Sequence, residues 1–102
     1  MEPGDAPRYA REGTAMRVYL VDRDLPGITL EGLAGIQQAE ISASQQFTST
    51  GQLVRYLRSV FIPGEARCLC LFEAEDETAV VEVNEAAHLP FTRIVAALNL
   101  SP

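Results

Sequence analysis

Two Pro-Gly pairs, Pro26-Gly27 and Pro63-Gly64, divide this chain of 102 residues and limit the order in which its strands and helices can follow one another. Proline and glycine together favour turns and interrupt regular structure. The first pair follows an apolar, β-branched run over residues 16–21, and the second separates two more such runs, residues 52–62 and 67–74. We therefore predict a strand before the first pair and a β-hairpin around the second.

Two stretches outside these runs have helical features. Thr29 is a good N-cap for a helix that runs to about Ser49. Residues 75–89 begin with acidic residues, carry apolar residues at helical spacing and end before Pro90. With a last strand over residues 92–100, the order is β-α-β-β-α-β. This order predicts an α+β, ferredoxin-like fold, in which both helices cover one face of a four-stranded antiparallel sheet.

Length and composition narrow the class of protein. The length predicts one domain over residues 16–102, and residues 1–15, with two prolines, two glycines and no periodicity, are predicted to be a flexible tail. A net charge of −6 argues against a non-specific nucleic-acid binder. Neither a membrane span nor a secretory signal is found. With only two cysteines, the predicted location of this acidic protein is the cytoplasm.

The predicted sheet is apolar on both faces. In the third strand, Cys68, Cys70 and Phe72 alternate with Leu69 and Leu71, so neither face is polar. In the second strand, the alternation groups Leu53, Leu57 and Phe61 on one face and Val54, Tyr56 and Val60 on the other. The helices cover one face only. We therefore predict a homodimer in which the second faces of two sheets pack together.

The two cysteines, Cys68 and Cys70, are predicted to fill the core. Same-face positions lie about 6.5–7 Å apart along a strand, which is at the limit of disulfide geometry with unfavourable Cβ vectors. The alternative is that the two thiols line a pocket on that face.

The first helix carries polar side chains on its predicted buried side. That side is defined by Leu30, Leu33, Ile36, Ile41 and Phe47. Gln37, Glu40 and Ser44 fall within it. A buried carboxylate needs a cation, a proton or a metal, so we expect a partner for Glu40. The candidates from the sheet are Arg17, Arg55 and Arg58, with the hydroxyl of Tyr56 as an additional donor.

Two further sites are possible. Asp22 and Asp24 lie in the predicted loop after the first strand, where ligand groups often bind, although such loops are also commonly just solvated turns. His88, the only histidine, lies at the end of the second helix, where it either caps the helix or makes a ligand or pH-sensitive contact.

Three functions remain open. The first is a non-enzymatic dimer that binds a small ligand or a metal. Its predicted ligand-binding residues are Asp22, Gln37, Glu40, Tyr56, Arg58 and His88. The second is a cofactor-free enzyme in which Glu40 is the base and Arg58 or Tyr56 stabilises an enolate. The third is a structural or partner-binding module.

Three blocks carry a family resemblance: YLVDRDLPGIT (19–29), VRYLRSVFIPGEARCLCLFEA (54–74) and NEAAHLPFTRIV (84–95). Together they resemble a family of small proteins with an uncharacterised ferredoxin-like domain, one branch of which is described as nickel-binding. The resemblance implies a dimeric α+β barrel and suggests nickel as the cofactor.

The residues that the resemblance would place at the metal depart from that branch, where histidines are expected. The corresponding residues of this chain are Asp22, Arg23, Gln37, Asn84 and Leu89. Glu40 keeps a carboxylate in place of an aspartate. Because a borderline divalent site loses most of its affinity without imidazole ligands, we predict that nickel is not bound.

Overall fold

A computed structural model describes residues 16–100 and residue 102 of the chain, and the predicted N-terminal tail lies outside these residues. The six elements are β1 (Arg17–Asp24), α1 (Leu30–Ser49), β2 (Val54–Ile62), β3 (Arg67–Ala74), α2 (Glu77–Ala86) and β4 (Arg93–Ala97). The predicted order β-α-β-β-α-β and the α+β, ferredoxin-like class are confirmed.

The four strands form one antiparallel sheet in the order β2-β3-β1-β4. The core lies where the sheet meets the helices, and α1 packs on β2 and on α2. In register, Tyr19 of β1 is opposite Phe72 of β3, and Val21 is opposite Cys70. All four side chains are buried, so this face of the central strands carries the core.

Hydrogen bonds cap the start of α1 and the end of α2. Thr29 Oγ1 accepts a hydrogen bond from Gly32 N at 2.9 Å, which confirms the predicted N-cap. Helix α2 ends in a left-handed residue, His88, with φ of 58°. The backbone N–H of Leu89 donates to Asn84 O at 3.0 Å, which turns the chain back across the end of the helix. This turn brings Pro90 next to the sheet.

Strand β1 is longer than predicted. Asp22 and Arg23, expected in a loop, belong to the strand, and their Cα partners in β3 are Leu69 and Cys68. The reason is that β1 is a central strand: β3 on one side and β4 on the other continue the hydrogen-bond ladder past the apolar run. Arg23 therefore faces the helices, on the same side as Val21.

A β-bulge makes the predicted faces of β2 wrong. Tyr56 is opposite Phe72 and Arg58 is opposite Leu71, so Leu57 is an extra residue between the two pairs. Beyond the bulge the alternation is shifted by one residue. Ser59, rather than Val60, lies opposite Cys70 on the face under the helices, and Val60 is 55% exposed.

The buried side of α1 agrees with the prediction in part: Leu33, Ile36 and Phe47 pack against the core, whereas Gln37, predicted to be on that side, is exposed. Leu30 is 85% exposed, and the buried residues of the helix are Glu40, Ala43 and Ser44. Leu30 is the first helical residue, whereas the buried residues lie in the middle of the helix. Two of these three buried residues, Glu40 and Ser44, are polar.

Candidate functional site

The centre of the molecule is a buried ion pair between Arg23 of β1 and Glu40 of α1, both fully inaccessible to solvent. Arg23 Nη2 donates to Glu40 Oε2 and also to Asn84 Oδ1, the latter at 2.7 Å. Arg23 Nη1 donates to the carbonyl oxygen of Pro90 at 3.1 Å. We call Arg23, Glu40, Asn84 and the Pro90 carbonyl the arginine cluster; it joins the sheet to both helices.

Local structure orients each member of the arginine cluster. Asn84 Nδ2 donates to Val80 O at 2.8 Å, one turn earlier in α2, and this leaves the amide oxygen directed at Arg23. The turn after α2 positions the Pro90 carbonyl. Hydrogen bonds to a charged donor are about twice as strong as those between neutral groups, so the guanidinium ties three segments together.

The cation beside Glu40 is not one of those expected. Arg55 pairs with Glu73 at 2.9 Å and Arg58 donates to Asn99 at 2.8 Å, so the prediction of these arginines or Arg17 as the partner was wrong. Arg23 was missed because it was placed in a loop. The signal that could have found it is the two-residue spacing from Val21, which puts Arg23 on the core face if the strand continues.

Three buried polar atoms have no hydrogen-bond partner among the described residues: Arg23 Nε, Glu40 Oε1 and Ser44 Oγ. Ser44 is 3% exposed and lies one turn after Glu40 in α1. Buried groups of this kind each cost about 1–3 kcal/mol when left unpaired, so they mark places where a further contact is favoured.

A line of hydrogen bonds runs from the surface toward the arginine cluster. Gln37 Nε2 donates to Tyr56 Oη at 3.0 Å, Tyr56 Oη and Ser59 Oγ are 2.6 Å apart, and Ser59 Oγ donates to Cys70 Sγ at 3.1 Å. Partial burial raises the pKa of Tyr56. Burial first, and then the charge of Glu40, raises the pKa of the Cys70 thiol far above its usual range. The β2 bulge makes this line possible because it turns Ser59 toward Cys70.

The two cysteines are free and buried in the core beside Phe72, as expected from their spacing. Their Sγ atoms are 3.7 Å apart. Thiolates are the reactive form of cysteine, so the raised pKa of Cys70 makes it a poor nucleophile. This placement favours a packing role over a catalytic one.

Asp22 lies on the opposite face of the sheet from Glu40. Arg67 donates to its carboxylate from Nη2 at 2.6 Å and from Nε at 3.2 Å, and Arg93 Nε lies 3.4 Å away. The hydrogen bond from Arg67 is the main cause of a lowered pKa at Asp22, although burial acts in the other direction. The carboxylate therefore links β1, β3 and β4 on the face away from the helices.

Of the remaining predicted site residues, two lie near Glu40 and two lie away from it. Gln37 and Tyr56 come together, as described, near Glu40. Arg58 is exposed and follows the β2 bulge, on the face away from the helices. His88 is exposed at the end of α2, where its backbone supplies the left-handed cap. The structure thus groups Gln37, Glu40 and Tyr56 on the helix side and leaves Arg58 and His88 outside that group.

Next to this group lies a cleft of about 550 Å³ between α1 and the edge strand β2. Its walls are mainly apolar. They include Met16, Ile41, Leu53 and Val54, together with the polar side chains of Ser44 and Tyr56. Arg55 and Glu73, which pair with each other, also line it. Clefts of 300–1,000 Å³ with apolar walls and a few polar groups are typical of small-molecule sites.

Within residues 16–100 and residue 102, no group of three or more His, Cys, Asp or Glu side chains is arranged to hold a metal ion. None of the helices in the same part of the chain combines the length and the apolar character needed to span a bilayer.

Fold and site together define a small α+β protein of the ferredoxin-like class with a charged cluster buried between sheet and helices. The model of the family described as "Nickel responsive protein SCO4226-like" matches residues 19–96, and the chain belongs to this family. A solved structure with the same fold, SCO4226 from Streptomyces coelicolor A3(2), is 22% identical, with a TM-score of 0.69. The match covers 83% of this chain and 99% of that one. No curated protein matches the chain.

Proposed function

We propose that the protein is a non-enzymatic binding protein that holds a small, neutral and largely apolar molecule in the cleft between α1 and β2. The observation that carries this proposal is Ser44, which lines the cleft and whose buried hydroxyl has no hydrogen-bond partner among the described residues. A ligand with an apolar body would fill the cleft, and a rotation of the Ser44 side chain would bring the hydroxyl to one hydrogen-bonding group of that ligand.

The chemistry of the cleft favours a neutral ligand. Its two charged lining residues, Arg55 and Glu73, already neutralise each other at 2.9 Å. Tyr56 adds an aromatic ring whose edge or face meets Phe72, at a centroid distance of 5.5 Å. These two residues therefore have no unpaired charge that could bind an ionic ligand, whereas the cleft has aromatic and aliphatic surface for an apolar one.

The positions of the acidic groups favour binding over catalysis. Glu40, the base of the enzymatic alternative, is paired with Arg23 and is not among the residues that line the cleft. A general base must reach the proton it removes, and the paired carboxylate faces the core. The arginine cluster is better suited to holding the walls of the cleft in place.

The test uses 2-naphthol, a neutral ring compound with one hydroxyl, as a fluorescent probe. We expect saturable binding to the wild-type protein and at least a tenfold weaker affinity for Ser44→Leu, because the larger side chain enters the cleft. Ser44→Ala, which removes only the hydroxyl, should weaken binding by a smaller factor, in line with about 0.5–1.5 kcal/mol for one hydrogen bond.

The matched control is Ser42→Leu, on the exposed side of the same helix. It makes the same change of residue without entering the cleft and should bind the probe as the wild type does. Equal binding by Ser44→Leu and Ser42→Leu, or binding that does not saturate, would contradict the proposal.

The proposal also includes a homodimer formed through the face of the sheet away from the helices, and a location in the cytosol. On that face Leu20 lies opposite Leu71 on one side and opposite Val95 on the other, so an apolar row crosses three strands. A twofold partner would cover this row with the same surface of its own sheet. Free thiols at Cys68 and Cys70 agree with a reducing compartment.

Size-exclusion chromatography with light scattering tests the dimer. We expect twice the chain mass for the wild type and a single chain mass for Leu71→Arg, since the charge would be buried in the contact. Gln46→Arg, on the exposed side of α1, is the control and should remain dimeric. A monomeric wild type at micromolar concentration would contradict this part of the proposal.

A further inference from the structure

The arginine cluster has the form of a cation site. Oxygen atoms of three different segments converge on the Arg23 guanidinium: the Glu40 carboxylate, the Asn84 amide oxygen and the Pro90 carbonyl oxygen. All are acceptors, and the first two belong to fully buried side chains. Arrays of carboxylate, amide and carbonyl oxygens are the ligands that cations use in proteins. Here the cation is part of the chain itself.

Charge leaves no place for a second cation in the cluster. Glu40 supplies one negative charge, and the Arg23 guanidinium already balances it. A divalent ion would have to approach a buried guanidinium at short range, where charges repel strongly because the surroundings are apolar. Since Arg23 is 0% exposed, its head group cannot move aside into solvent without opening the contact between β1 and the helices.

We infer that the Arg23 guanidinium is the cation of this site and that it holds the sheet to the helices. In a family described as nickel-responsive, this chain thus has an arginine side chain at the position where a metal ion would be expected. Arg23, Glu40 and Asn84 are three of the positions at which the family resemblance would place metal ligands. The residues present therefore do not fit nickel at this place. This inference is independent of the ligand proposed for the cleft.

The geometry also explains why the residue is arginine. A guanidinium presents several N–H groups in a fixed plane, and Arg23 uses two of its nitrogen atoms on three acceptors. A lysine ammonium is a compact point charge and would not reach the same three acceptors from one strand position. The shape of the site is thus matched to a planar cation.

The experiment is chemical rescue. Arg23→Ala removes the cation and leaves its acceptors facing a gap, so we expect a large loss of thermal stability. Millimolar guanidinium chloride should then raise the melting temperature of Arg23→Ala by more than about 4 °C, a shift readily resolved for a domain of this size. Equal concentrations of urea and of sodium chloride should not do so. If the variant is unfolded, the same rescue is measured as guanidinium-dependent folding by circular dichroism.

Two comparisons decide the outcome. Arg55→Ala, which removes an exposed arginine from its pair with Glu73, should gain nothing from guanidinium. The metal-free wild type, titrated with Ni²⁺ and observed by native mass spectrometry, should show no ion bound at the cluster. Failure of guanidinium to rescue Arg23→Ala overturns the inference. So does one Ni²⁺ per wild-type chain that persists in His88→Ala and disappears in Glu40→Gln.

Discussion

Replacing Glu40 by leucine tests whether the buried ion pair holds the helix to the sheet. The substitution replaces the carboxylate by an apolar side chain of similar size and so removes the acceptor of Arg23, whose guanidinium then remains buried without a counter-charge. Removing one partner of a buried pair costs about 3–5 kcal/mol. This is a large part of the roughly 5–15 kcal/mol by which domains of this kind are stable.

The double variant gives the sharper result. Arg23→Met should cost at least as much as Glu40→Leu, because each leaves one charge unpaired and Arg23→Met also removes the donor of Asn84; independent effects would sum to at least about 6–10 kcal/mol. With both substitutions no buried charge remains. The main cost is then the Asn84 amide oxygen left without its donor, about 1–3 kcal/mol, together with the lost hydrogen bond to the partly buried Pro90 carbonyl. We therefore expect the double variant to be more stable than either single variant.

Urea unfolding followed by circular dichroism gives the free energies of the four proteins, provided that the transition is two-state. The difference between the double variant and the sum of the singles should exceed about 3 kcal/mol, whereas independent sites add to within about 0.5 kcal/mol. Additive effects would refute the reasoning, since they would mean that the two charges do not interact in the folded protein.

Two other predictions follow from the pKa shifts. The pKa of Asp22 is lower in the folded protein than in the unfolded chain, so its contribution to stability is complete above the unfolded value and is lost as the pH falls through the folded one. The free energy of unfolding of the wild type relative to Asp22→Asn should therefore be constant above about pH 5 and should decrease in more acidic solution, as measured by urea unfolding across this range. An increase of this difference on acidification would contradict the predicted direction of the pKa shift. Because both thiols are buried and the pKa of Cys70 is raised, Ellman's reagent should label them only as fast as the protein unfolds. Labelling should be rapid in denaturant, and immediate labelling under native conditions would contradict this prediction.

Much of the fold could be read from local signals. The limits of α1 follow from Thr29 and the apolar spacing after it, and β3 occupies the predicted residues 67–74. These elements are specified by short-range effects, capping and side-chain alternation, which act within a few residues. Where long-range pairing decided the outcome, prediction failed: β1 continues through Asp22 and Arg23 because two neighbouring strands extend its ladder.

The candidate site was foreseen in part. Glu40 was expected to be buried and to need a cation, because its position on α1 faces the sheet and an isolated carboxylate cannot be buried cheaply. The identity of the cation could not be foreseen. It depends on residues 17, 61 and 67 positions away from Arg23 in the chain being brought to one point, and sequence spacing carries no information on such distances.

What the sequence determined by itself is the order of the elements, the class of fold and the presence of a buried carboxylate, since each rests on neighbours in the chain. What only the tertiary structure decided is how that charge is balanced. The β2 bulge turns Ser59 toward Cys70, and the long β1 carries Arg23 beneath the helices. Both depend on which strands lie side by side, because the register of pairing with a neighbouring strand decides which face of the sheet each side chain points to.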